Sequence, residues 1–371
     1  MQTLFQLCQT LIDRKGSDLH LITGSPPRVR VDGSLLTLDG PAFSATDIQR
    51  LLSEMSNEGG RQEPEDINVG DTSIEIPGLG RFRCHIYSQR GLPAVALRAI
   101  PLAIPSFGEL GLPSVVGELL RKPQGLLFIT GPSGCGKSTT LAAMVDLINQ
   151  ERRAHIVTIE DPIEFLHTHK SSVVNQREIG RDAPDFQTAL KGILRQDPDV
   201  VCLGEVRDWL AIQAAFMYAE TGHLTLATLH TNSAIQTINR VVSVCPPHQQ
   251  IEIRTQLSFA LEGILSQRLV PRLAGKGRVL ALEVLVPTPA VRNLIREGKI
   301  HQIYSIMQTG QARHGMQTMN QALADLCKQQ EISAKEAKNL SPHPEEIFKL
   351  LERGGREQKS HSSGVARLRS R

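Results

Sequence analysis

Residues 125–140 read GLLFITGPSGCGKSTT, and the fold turns on how they are taken. Leu126 to Ile129 is an apolar run short enough for a buried strand, and it stops at Gly131. A helical rhythm of Leu141, Met144, Val145 and Ile148 begins just past Lys137. Between the two, Gly131 to Ser138 fits the phosphate-binding pattern of glycine, four residues, glycine, lysine, serine. The glycines let the backbone curl so that its N–H groups face phosphate oxygens, and the helix start adds partial positive charge. Lys137 is then placed to reach the β- and γ-phosphates of a nucleotide triphosphate, and Ser138 to ligate Mg²⁺. A glycine-rich turn that binds nothing is the plainer alternative. Motif and strand–loop–helix context agree, which weighs against it.

The bulk properties bound the rest. The chain has 371 residues, enough for two domains with cores of their own. Hydrophobic content of 40% and charged content of 21% are those of an ordinary globular protein. A net charge of +3 is too weak to argue for nucleic acid, and an aromatic content of 4% leaves few platforms for stacking bases. Six scattered cysteines without a C-x-x-C pair argue against zinc and fit reduced thiols in the cytoplasm. No apolar run is long enough to span a bilayer, and the N-terminus has a helical rhythm interrupted by Asp13 rather than a signal peptide. Membrane association is therefore expected only through partners.

Residues 1–100 read as a small α+β unit. Helices are expected over 4–12 and 46–55, the second capped by Ser44 or Thr46, with strands at 18–22, 29–31, 35–38, 73–76, 81–88 and 94–99 and a turn at Asp32-Gly33. Residues 101–113, PLAIPSFGELGLP, read as an extended, stiff linker. From 114 to 345 helices alternate with apolar strands at 125–130, 155–160, 199–204, 224–229 and 279–285, the pattern of a mainly parallel sheet covered by helices. Residues 346–371 read as a disordered basic tail; the last stretch, REQKSHSSGVARLRSR, has five Arg/Lys against one Glu.

Hydrolysis needs more than a phosphate loop: a carboxylate near Mg²⁺ and a base to position water. PDVVCLGEVRD (198–208) is a buried-strand run followed by Gly204-Glu205, which puts Glu205 where the metal-side acid belongs. Its being Glu, not Asp, allows contact with Mg²⁺ directly or through water. HIVTIEDPIEF (155–165) is a second apolar strand, ending in Glu160, Asp161 and Glu164, with Pro162 forcing a turn. Either acidic end alone could be a solvated loop; two beside a phosphate loop point to a site. In TGHLTLATLHTNSA (221–234), His230 leaves the end of an apolar strand where it could sense the γ-phosphate. His167 and His169 read as structural or solvated.

Taken together, GPSGCGKST, VTIEDPIEF, DPDVVCLGEVRD and TGHLTLATLHT resemble, in order and spacing, the motifs of the secretion-type hexameric ATPases. Within that superfamily the chain resembles the type IV pilus retraction (twitching motility) ATPases. AVRNLIREGK (290–299) is close to their AIRNLIRE signature, with Val291 for Ile, and GMQTMNQAL (315–323) is similar to theirs; Cys135 replaces a commoner small residue. SDLHL (17–21), VRVDG (29–33) and GRFR (80–83) look like the family's PAS-like N-terminal domain. The resemblance thus implies an α/β fold, a PAS-like domain followed by a RecA-like P-loop domain. It implies ATP and Mg²⁺ as ligands, with phosphates on Ser133, Gly134, Cys135, Gly136, Lys137, Ser138 and Thr139. Glu164 would be the general base, Glu205 the acid of the metal shell, and His230 the coupler of nucleotide state to domain contact. Arg83 and Arg98 would reach the γ-phosphate of a neighbouring site, or remain surface arginines. The polar residues of 290–299, among them Arg292 and Arg296, would face outward toward a neighbour or the pilus platform.

The implied activity is ATP hydrolysis by a homohexamer at the cytoplasmic face of the inner membrane, retracting a pilus through a membrane-embedded platform protein, with a paralogous retraction ATPase as a further partner. Alternatives are an accessory ring subunit with little hydrolysis, a pilus-assembly or type II secretion ATPase, and a nucleic-acid translocase. The acidic pair Glu164 and Glu205 argues against the first. The absence of an extra N-terminal domain and a tetracysteine loop argues against the second, and composition against the third.

Overall fold

The computed structural model describes residues 2–31, 34–58, 70–100, 103–275 and 277–352. The chain divides into two units, residues 1–104 with 162–166, and residues 105–161 with 167–371.

In the first unit, helix α1 (Leu4–Asp13) starts at Thr3, whose hydroxyl accepts from the Gln6 amide while the Gln6 side chain bonds back to Thr3. Its apolar stripe buries Leu4, Leu7, Cys8 and Leu11. Helix α2 (Ala45–Glu58) is capped by Ser44, which accepts from the Asp47 amide, rather than by Thr46. Strands β1 (Asp18–Ile22), β2 (Arg28–Val31), β3 (Ser34–Thr37), β4 (Gly70–Ile76), β5 (Gly80–Gln89) and β6 (Leu92–Ala99) form one antiparallel sheet in the order β3-β2-β1-β6-β5-β4. Alternate residues Leu19, Leu21, Phe82, Cys84, Val95 and Leu97 share a core with both helices. The expected Asp32-Gly33 turn lies outside the described residues.

The second unit is built on a seven-stranded sheet: β7 (Gly125–Thr130), β8 (His155–Glu160), β9 (Val173–Glu178), β10 (Val200–Leu203), β11 (Leu224–Leu229), β12 (Leu261–Pro271) and β13 (Arg278–Leu285), in the order β13-β12-β7-β11-β10-β8-β9. Every pair is parallel except β12 with β13. Both faces are covered. Leu126 and Phe128 join a core with Ile212 and Phe216 on one side, while Leu127 and Ile129 pack with Met144, Val145 and Ile148 on the other. This is why β7 reads as a continuous apolar run instead of an alternating one.

Four expectations need correction. Strands β9 and β12 were not foreseen. The first carries the polar residues Asn175, Gln176, Arg177 and Glu178 at the sheet edge, and the second follows a helix (Gln250–Ala260) with no intervening turn residue. The supposed linker contains helix α3 (Phe107–Leu110), nucleated by the reciprocal Ser106–Glu109 capping box, and is followed at once by helix α4 (Ser114–Leu120); residues 101–102 lie outside the described residues. The tail does not begin at 346. Residues 344–352 are helical, with Ile347 fully buried and Leu350 and Leu351 packed in the same core as Leu323 and Ala337; residues 353–371 are not described. All six cysteines are free thiols. Among the described residues no helix is long and apolar enough to cross a membrane.

One buried acid ties the layers of this unit together. Glu283 on β13 is 3% exposed. One of its oxygens accepts from the Ala234 amide at 2.6 Å and the other from the Met319 amide at 3.3 Å. These amides open the helices Ala234–Val244 and Met319–Lys328, so the carboxylate caps two helix dipoles at once. Burial pushes its carboxyl up from the ordinary range, and the two amides oppose that push.

The burial of residue 347 is open to test. Replacing Ile347 with Asp puts a charge into a closed apolar site and should lower the stability of this unit by about 3 kcal/mol or more. Urea unfolding followed by the fluorescence of Trp209, the chain's one tryptophan and a residue of the same unit, measures it.

Candidate active site

Parallel strands deliver their C-terminal ends to one edge, and here β7, β11, β10 and β8 are successive neighbours. Thr130 lies opposite Leu229, Ala227 opposite Leu203, and Leu203 opposite Ile159. The register therefore releases Gly131, His230, Glu205 and Asp161 side by side, at the position where open α/β sheets take ligands.

The phosphate loop runs from Gly131 to Gly136 into helix α5 (Lys137–Glu151). Gly131 has φ +145°, and a Cβ there would stand 2.5 Å from the Cys135 sulfur and 2.6 Å from the Gln267 carbonyl oxygen. No other residue type fits between the loop and β12. Cys135 is buried beneath the loop, and burial pushes its thiol up. Ser133 and Gly134 are exposed, whereas Gly136, Lys137, Ser138 and Thr139 are half-buried. Among the described residues no side chain caps the start of α5, which leaves its first amides to an anionic ligand. Lys137 Nζ donates to the carbonyls of Gly131 (2.8 Å) and Pro132 (3.2 Å), folding the lysine back across its own loop.

Glu205 and His230 complete a charged chain with that lysine. His230 Nε2 stands 2.9 Å from Glu205 Oε1, and its Nδ1 stands 3.5 Å from Lys137 Nζ. An ammonium only donates, so Nδ1 is the acceptor and Nε2–H faces the carboxylate; one neutral tautomer satisfies both contacts. Arg207 grips Glu205 with two prongs, Nε at 2.8 Å and Nη2 at 2.9 Å. That guanidinium above all, then His230, holds the Glu205 carboxyl below its ordinary range, although burial pushes the other way. Gly204 is needed just before it: a Cβ there would meet the Ile159 carbonyl oxygen at 2.9 Å.

The other sequence candidates have their own surroundings. Glu164 is exposed and belongs to the 162–166 segment that groups with the N-terminal unit, between buried Ile163 and Phe165. Arg83 and Arg98 face each other across β5 and β6, and Asp18 lies opposite Arg98 on β1 and bonds it at 2.8 Å. His223 is held by Tyr218 and Thr221 at the start of β11, away from the strand end that carries His230. In the helix Pro289–Arg296 the expected outward polar face holds for Asn293 and for Glu297 just beyond it, both exposed, but not for the two arginines. Arg292 donates to the Ser258 and Phe259 carbonyls and to Glu262, capping the preceding helix, and Arg296 lies over the Phe259 ring at 5.6 Å.

Sequence reasoning missed Arg207 and Gln267. Arg207 stood inside a quoted motif, two residues past the acid. Gln267, on β12, is 1% exposed and donates to Thr140 on α5 at 2.9 Å, while its Oε1 has no hydrogen-bond partner among the described residues. With β12 unforeseen, nothing marked it.

The oxygen donors suit a hard dication: a first-turn hydroxyl, Ser138, and a strand-end carboxylate, Glu205. Among the described residues no group of three or more His, Cys, Asp or Glu could hold a metal ion. A magnesium ion here would take few protein ligands and rely on nucleotide oxygens, its usual habit.

Comparison with known proteins follows the same lines. Residues 112–339 match the family described as type II/IV secretion system protein, a span holding the phosphate loop, Glu205 and His230. The chain belongs to the type II/IV secretion system family. Membership in this family makes it a nucleotide-binding ATPase. It is 44% identical over 329 residues to the type IV pilus retractation ATPase PilT of Pseudomonas aeruginosa, covering 89% of this chain and 95% of that protein. It is 36% identical over 360 residues to the type IV pilus ATPase PilU of the same organism, covering 97% and 94%. A crystal structure of the pilus retraction motor PilT with bound ADP superposes with a TM-score of 0.87 at 47% identity, covering 94% of this chain and 100% of that one. In fold, this secretion-family ATPase has a β-rich N-terminal domain and a C-terminal domain with a mainly parallel sheet.

The Gly131 contact makes a sharp test. Gly131→Ala must occupy a strained φ and displace either Cys135 or the β12 backbone, so ADP binding should weaken by about tenfold or more. Displacement of a fluorescent ADP analogue measures it, with circular dichroism to confirm the fold.

Proposed function

We propose that the protein is an ATP-hydrolysing motor that retracts a type IV pilus. The observation that carries this is the contiguous chain Lys137–His230–Glu205 at the ends of adjacent parallel strands, in a sequence alike to PilT over nearly the whole length of both. Lys137 exchanges its loop carbonyls for phosphate oxygens when ATP binds, and that exchange removes a donor from His230 Nδ1. His230 thereby reports phosphate occupancy to Glu205 through its other nitrogen. Ser138 and Glu205 would hold a magnesium ion, directly or through water, and the ion would supply charge neutralisation for the phosphates. Glu164 serves as the general base that orients the attacking water.

In this reading the subunits form a homohexamer, and Arg83 and Arg98 serve a neighbouring subunit's γ-phosphate, for which a permanently charged fork is well suited. Work passes to an inner-membrane platform protein from the cytoplasmic side. A second reading is an accessory ATPase working beside a principal motor; the higher identity to the pilus retractation ATPase PilT, 44% against 36% for the pilus ATPase PilU, favours the first.

Two measurements test the proposal. Lys137→Ala should reduce ATP turnover by about a hundredfold or more while leaving the fold intact, since the lysine's charge at the phosphates is lost; turnover at the parental rate would overturn the site. Deleting the gene in its host should leave cells with excess pili that do not retract. Bald cells would assign the motor to assembly, and unchanged twitching would favour the accessory role.

A further inference from the structure

Glu205 as it stands is already occupied by a cation. Arg207 covers both carboxylate oxygens, Nε on Oε1 and Nη2 on Oε2, and His230 takes a further position on Oε1. A carboxylate offers about four acceptor positions, so three are filled. The guanidinium also cancels the charge that would attract a dication. It cannot be removed by deprotonation at any ordinary pH; Glu205 is released only if Arg207 moves. The arginine has room to do so, its side chain being 68% exposed.

It also has a second acid within reach of its charge. Ile159 and Leu203 are register partners on β8 and β10, and Asp161 and Glu205 each stand two residues beyond that pair. Glu205 above all, with a smaller contribution from Asp161, raises the Arg207 guanidinium above its ordinary range. Glu160, the other acid at that strand end, is engaged by Thr158 and Gln176 and so is not the alternative partner.

We propose that Arg207 is the resident counter-cation of the metal site, holding Glu205 while no divalent ion is bound and turning toward Asp161 when metal and nucleotide arrive. The inference rests on the assignment of Glu205 to the metal. Arg207 is thus a positioning residue that competes with the dication and sets how much of it the site requires.

The test is a Mg²⁺ titration of the full-length protein at a fixed, subsaturating concentration of a fluorescent ADP analogue, read by anisotropy. Arg207→Gln should lower the half-saturating Mg²⁺ concentration by about fivefold, the worth of one partly exposed ion pair. Asp161→Asn, which takes away the alternative partner, should raise it, and affinity in EDTA should change in neither variant. If Arg207→Gln proves unstable, Arg207→Lys keeps the charge, loses the fork and should give a smaller shift in the same direction. A Glu205→Gln control separates the two layers. If it leaves the Mg²⁺ requirement as in the parent, Glu205 does not serve the metal and the inference falls with that reading. If Glu205→Gln alters the requirement while the Arg207→Gln curve overlies the parent's or moves to higher Mg²⁺, the role of Arg207 alone is overturned.

Discussion

The parallel register of β7, β11, β10 and β8 is the constraint on which the rest of the ATPase unit depends. Each strand contributes one short polar segment, and none of these segments could find the others along the chain: Gly131 and His230 are separated by nearly a hundred residues of sequence. Pairing Thr130 with Leu229 and Leu203 with Ile159 brings them together, close enough for His230 to meet both Glu205 and Lys137. Side chains alternate between faces along a strand, so a slip of one residue would exchange the two apolar layers on either side of the sheet. The same burial that stabilises the sheet therefore fixes the site. Specificity of register comes from the core, and the chemistry rides on it.

Two close approaches refine that arrangement. Gly131 lets the loop pass against Cys135 and the backbone of β12, and Gly204 lets the end of β10 lie against the end of β8. Behind the loop, Thr130 and Ser266 bond through their hydroxyls at 2.8 Å, and Gln267 reaches Thr140. These buried polar contacts pin β12 to the phosphate-binding strand and to the first turns of α5. Among the described residues the side-chain Oε1 of Gln267 has no hydrogen-bond partner. An unsatisfied acceptor there costs stability, and a cost of this kind at a ligand-binding loop is a common place for it to be tolerated.

Much of this was legible because it is local. A strand, a glycine loop and a helix start are adjacent in sequence between residues 125 and 140, and apolar runs ending in acids mark β8 and β10 without reference to anything distant. What sequence reading lost depends on contacts across the fold. β12 follows a helix directly and has no turn residue to announce it. β9 is half polar because it lies at the sheet edge. The helix over 344–352 looks like the start of a charged tail until Ile347 is seen to close the core around Leu323. Arg207 and Arg292 were in view as letters, but an arginine's role is set by the partner its long side chain finds. Arg207 found Glu205 two residues away, and Arg292 found carbonyls on a different helix.

Glu283 carries a mechanical consequence. Its two oxygens are divided between the start of the helix that follows His230 and the start of the helix at Met319. Moving either helix away from the other would strand a carboxylate oxygen in the core, at a cost of about 1–3 kcal/mol. The two helices are thus strutted against one another through a single side chain. A displacement begun at His230 would not dissipate in the short segment 231–233. It would be carried, with little compliance, into the C-terminal helical layer that Ile347 closes. In engineering language, the buried acid is the pin that couples the helix after His230 to the C-terminal helical layer.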